Sequence, residues 1–153
     1  MRCQSEDSTM TTEPQTQRAG GTVRVALLAV GDVAALIVFA ALGRASHGEA
    51  AGLDAFAQVL ETAAPFAAGW LVAAGLTGAY RAGVVAHPGR MAARAGLAWA
   101  IGCPLGLGLR ALIRQSGIPL SFAITTFLIA GAILLLWRVL FAVAMARRQA
   151  GAV

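Results

Sequence analysis

The chain has 153 residues, 58% of them hydrophobic and 12% charged, with a net charge of +5. Charged residues make up about 25% of an ordinary soluble domain, and a chain this short cannot bury so much apolar surface within itself, so a soluble globular fold is excluded. The positive charge comes entirely from arginines, most of them set at the ends of apolar runs, with no basic stripe interleaved with aromatics; this fits the lipid bilayer as partner and argues against nucleic acid.

Residues 1–21 are polar and rich in Thr and Gln, the composition of a disordered tail. Glu6, Asp7 and Glu13 stand where a secretory signal would be basic, and the tail has no apolar stretch of its own. Apolar runs then follow at about 22–43, 63–80, 91–113 and 119–145, and the second can be extended back to Leu53. About twenty residues at 1.5 Å each cross roughly 30 Å of hydrocarbon, and a helix satisfies the backbone there without an open edge. The expectation is therefore an all-α, four-transmembrane-helix bundle over residues 22–148, with a short tail at 149–153. Arg18, Arg24, Arg81, Arg90, Arg94, Arg147 and Arg148 fall at the end that carries both termini, and Arg44, Arg110 and Arg114 at the other. That asymmetry predicts both termini in the cytoplasm.

The joints have their own signals. Pro88-Gly89 and the stretch Gln115–Pro119 read as tight turns. Pro65 reads as a helix-start proline, and Pro104 in mid-span predicts a kink. Gly102 and Gly106, with Gly69 and Ala73, have the four-residue spacing that lets membrane helices approach closely. Trp70 and Trp99 read as packing or interfacial aromatics. Cys3 and Cys103 lie at different depths, so neither a disulfide nor a zinc site is expected, and no cofactor is called for. The chain has no long internal repeat, which gives no support to an inverted-repeat transporter.

Two charges interrupt the apolar runs. Asp32 lies eight residues past Arg24, about 12 Å deep by helical rise, and Arg138 lies nine residues before Arg147, about 13 Å deep from the same side. The matching depths predict an intramembrane Asp32–Arg138 ion pair between the first and last spans. Such a pair either fixes helix register or serves a proton or ion relay. A third reading has Arg138 snorkelling to the headgroups with Asp32 uncharged.

At the opposite end, "GRASHGE" closes the first span, and Arg44, Ser46, His47, Glu49, Glu61 and Arg110 form a candidate polar cluster. Ser46 and His47 are neighbours whose side chains diverge by about 100° on a helix, so they make no dyad. His87 is expected at the other membrane face, so a two-histidine metal site is excluded within one chain. HExxH, GxSxG and CxxC patterns are absent.

An aspartate inside the first span, then "FAALGRASHGE", "PFAAGW", "GLGLRAL" and "LLLWR", resemble the domain of unknown function 3054 family, small four-helix membrane proteins of actinobacteria and halophilic archaea. The resemblance covers about residues 26–142. It rests on Asp32, Gly43, Arg44, Ser46, His47, Gly48, Glu49, Pro65, Phe66, Gly69, Trp70, Arg110, Trp137 and Arg138. It implies the fold and supplies no mechanism. Abundant Ala, Gly and Arg without Lys, together with few acids, point to an actinobacterial plasma membrane. Three functions are carried forward. The first is an oligomeric small-solute, ion or proton transport component. The second is a structural or partner-binding subunit without transport, and the third an enzyme acting on a lipid-linked substrate. A polar path joining Asp32 to the Arg44–Arg110 end would favour the first, and a packed apolar interval the second.

Overall fold

The computed structural model describes residues 13–45, 52–85 and 87–150. Every regular element among them is helical: α1 (Glu13–Ala45), α2 (Leu53–Leu76), α3 (Ala82–Val85), α4 (Pro88–Arg114), α5 (Leu120–Thr125), a π turn (Thr126–Ala130) and α6 (Gly131–Ala150). Four stretches are long and apolar enough to cross a bilayer: Gly21–Ala45, Leu53–Leu76, Pro88–Arg114 and Leu120–Arg148. The last runs unbroken through α5, the π turn and α6. An even number of spans returns both termini to one end of the bundle, the terminal end; the other is the collar end.

Several boundaries differ from those expected. α1 begins at Glu13, inside the segment assigned to an unstructured tail, and α6 continues to Ala150. Residues 1–12 and 151–153 lie outside the described residues. α2 starts at Leu53, so Pro65 sits in the helix interior rather than at its first turn. The amphipathic stretch Leu53–Thr62 has no glycine or proline to stop a helix, so α2 takes the extension back to Leu53 and carries Pro65 inside. α2 stops at Leu76, short of the expected Tyr80. Thr77 caps it with both its amide and its hydroxyl on the Ala73 carbonyl, at 2.9 and 2.8 Å. Gly78 then reverses the chain at φ 68, a conformation few side chains tolerate. Arg94 of α4 donates to the Thr77 carbonyl at 2.7 Å, satisfying one acceptor that the helix end leaves open. Pro104 lies inside α4, which runs on through it, and its side chain is exposed.

The tightest contact is between α2 and α4, where small residues bring the backbones together. A Cβ at Gly69 would stand 2.5 Å from the Gly102 carbonyl oxygen, and one at Gly106 2.9 Å from the Cα of Phe66. Close approach gains dispersion contacts where lipid removes the hydrophobic drive between helices. Elsewhere glycine makes room for indoles. Gly31 lies under the Trp137 ring and Gly131 under that of Trp99, whose Nε1 donates to the Phe127 carbonyl in the π turn at 2.8 Å.

The core has two axial layers. Leu28, Val85, Met91 and Ala142 pack together toward the terminal end. A larger cluster including Leu36, Phe39, Phe66, Trp70, Trp99, Cys103 and Leu134 fills the middle and reaches toward the collar end. Asp32 and Arg138 lie between these layers: Asp32 one helical turn from both Leu28 and Leu36, Arg138 one turn from both Leu134 and Ala142.

Candidate functional site

Asp32 enters the bundle on α1 and Arg138 on α6, and each is 0% exposed. Arg138 Nε donates to Asp32 Oδ1 at 3.0 Å and Nη2 to Oδ2 at 2.6 Å, a two-point fork. The third guanidinium nitrogen, Nη1, donates to the Ala79 carbonyl at 3.2 Å and lies 4.0 Å from the Met91 sulfur. Tyr80 donates its hydroxyl to Asp32 Oδ2 at 2.7 Å. The guanidinium lies over the rings of Trp70 and Tyr80, each 4.8 Å from its centroid. Every nitrogen of the cation and both oxygens of the anion are thus engaged, the condition under which a charge pair persists away from water.

The α2–α3 turn makes this possible. Because α2 stops at Leu76 and Gly78 turns the chain inward, Ala79 is fully buried and presents its carbonyl while Tyr80 presents its hydroxyl. Burial, and then the adjacent Asp32 carboxylate, push the Tyr80 phenol above its ordinary value of 10.0, so it remains a proton donor across the physiological range. Tyr80→Phe keeps the ring over Arg138 and deletes only the donor. It is expected to cost about 1.5–3 kcal/mol, as for a hydrogen bond to a charged group, read as earlier thermal unfolding of the purified protein.

The collar end gathers a different set. Arg44, Arg110 and Arg114 line one cavity of about 500 Å³, walled also by Phe39, Phe122 and Thr126. Arg110 lies over the Phe122 ring, 4.8 Å from its centroid. Glu61 and Arg110 both line a neighbouring cavity of about 640 Å³, yet the carboxylate of Glu61 approaches Arg114 instead, at 3.8 Å. Ser46, His47 and Glu49 lie outside the described residues.

Sequence reasoning placed Asp32 opposite Arg138 and Arg44 near Arg110; it missed Tyr80, Ala79, Met91, Arg114 and Phe122. Tyr80, the chain's one tyrosine, directly precedes Arg81, and that rarity is the signal available for it. Trp70 was assigned to packing, without its contact to the guanidinium.

A family model described as "Protein of unknown function (DUF3054)" matches residues 29–141. The match contains Asp32, Tyr80, Arg110 and Arg138. No curated protein and no solved structure matches the chain.

Proposed function

The chain belongs to this DUF3054 family, and on that premise we propose that it is a multi-pass plasma-membrane subunit with a structural or partner-binding role and no conduction path through its own bundle. The observation that carries this reading is the state of the intramembrane charges. Asp32 and Arg138 are closed off from solvent, saturated with partners and bounded by apolar layers on both axial sides. A relay group must exchange its proton or ion with something further along a path. Between Asp32 and the collar arginines stand Leu36, Phe39, Phe66, Trp70 and Leu134 instead. The distribution of arginines supports both termini in the cytoplasm.

The test is reconstitution in vesicles. Proton and sodium flux should match protein-free vesicles, and Asp32→Asn should leave it unchanged. Affinity isolation from native membranes should recover a partner in fixed stoichiometry. A flux present in the wild type and lost in a folded Asp32→Asn protein would overturn the reading in favour of transport, with a path shared between copies as its natural route.

A further inference from the structure

The collar-end cavity holds a shielded cationic donor beside an apolar wall. Arg44, Arg110 and Arg114 line it, and among the described residues no carboxylate does. Glu61 meets Arg114 from the neighbouring cavity, its side chain 68% exposed and that of Arg114 47%. Arg110 Nη1 is shielded from solvent and has no acceptor among the described residues. The hydroxyl of Thr126, a residue 0% exposed in the cavity wall, is likewise without a partner. A shielded guanidinium N–H and a shielded hydroxyl, both unpaired, are costly unless an acceptor completes them.

The remaining walls say what kind of molecule carries that acceptor. Phe39 and Phe122 are apolar, and Leu42 and Ile129 flank the cavity from α1 and the π turn while being 59% and 49% exposed. The cavity therefore reaches the lipid-facing surface between those two elements. Arg44 is in the last turn of α1 and Arg114 in the last turn of α4, at headgroup level, while Thr126 lies six residues past the start of α5, about 9 Å deeper. Charge at the rim with an apolar flank below it matches an anionic phospholipid, its phosphate on the arginines and an acyl chain along Leu42 and Ile129.

We propose that this cavity is a binding site for the phosphate headgroup of an anionic phospholipid that enters sideways between α1 and the π turn. Arg110 is its anchor. The stack on Phe122 fixes the plane of the guanidinium, and the unpaired Nη1 supplies a donor to a phosphate oxygen. Arg114 and Arg44 supply the neighbouring charge.

The test uses the full-length protein in neutral detergent, titrated with phosphatidylglycerol, phosphatidylcholine or inorganic phosphate and read by native mass spectrometry and thermal shift. Phosphatidylglycerol should bind at least tenfold more tightly than phosphatidylcholine. Arg110→Gln should erase that preference, and Arg114→Gln, at a half-exposed position that tolerates change, should weaken it severalfold. Arg147→Gln, at the terminal end, should leave it intact. Equal retention of the two lipids would overturn the proposal, as would equal weakening by Arg147→Gln, which would mark diffuse attraction to cationic surface. Full displacement of the lipid by millimolar inorganic phosphate would also overturn it, by identifying a site for the free ion. Should Arg110→Gln fail to fold, Arg114→Gln decides the matter through the same lipid preference.

Discussion

Replacing Arg138 with Met is expected to produce the largest loss of stability of any single substitution in this chain. The thioether has a similar reach and keeps much of the apolar contact with Trp70 and Tyr80. It leaves Asp32 charged or proton-seeking in a site that is 0% exposed, and it frees the Ala79 carbonyl. Breaking one side of a buried pair costs about 3–5 kcal/mol, because the group left behind has lost both water and partner. Asp32→Asn is expected to cost a comparable amount: the amide oxygen still accepts from one Arg138 nitrogen, while the NH₂ group in place of Oδ2 faces the donors Arg138 Nη2 and Tyr80 and the cation loses its counter-charge. The double substitution Asp32→Leu/Arg138→Met separates the loss of a pair from the burial of an orphan. It should be more stable than Arg138→Met alone, since no unpaired charge remains. Thermal unfolding of the wild type, Asp32→Leu, Arg138→Met and the double variant in one detergent checks this. A double variant that loses the sum of the single losses would show the two residues acting independently.

The second large effect is expected at the α2–α4 seam. Gly69→Leu places a side chain where even a Cβ would meet the Gly102 carbonyl oxygen at 2.5 Å and the Gly106 nitrogen at 2.8 Å. Those neighbours are backbone, so the helices must separate along their most intimate stretch. Overpacking costs about 1–3 kcal/mol where side chains can yield, and this site sits at or above the upper end of that range. Gly108→Leu on the facing helix α4 meets nothing within 4 Å and should be near neutral. Expression level and thermal unfolding of the pair measure the seam against its own control. Equal tolerance of both substitutions would show that the close approach contributes little.

Asp32 and Arg138 were legible in the sequence because each is a lone charge in an apolar run, and helical rise converts a residue count into depth. The small residues of the seam were legible for a related reason, since a four-residue spacing puts them on one stripe. Tyr80 was not, because the chain from Leu71 to Tyr80 is apolar or small throughout and looks like uninterrupted span. Its helix ends through a threonine cap and a left-handed glycine at positions 77 and 78, signals short enough to vanish inside the hydropathy average. The extension of α2 back to Leu53 was legible as an amphipathic run continuous with the apolar span, although it moves Pro65 from the first turn into the helix interior. The π turn at Thr126–Ala130 has no spacing or composition that marks it, and the wall it gives the collar cavity followed from it unseen. Arg114 looked like a simple span-end anchor; only the fold shows it turned toward Glu61 and the cavity of Arg110.

The two halves of the buried ion pair are 106 residues apart along the chain. At roughly 5–20 residues per second of synthesis, the first span waits on the order of ten seconds for its counter-charge. During that interval an aspartate deep in the hydrocarbon opposes insertion by about 3 kcal/mol, against the favourable transfer of its leucines and valines. The final span, made last, brings Arg138 to Asp32 and removes that cost. Until residue 138 is made, the apolar side chains of the first span hold it in the bilayer by a narrower margin than in the paired bundle.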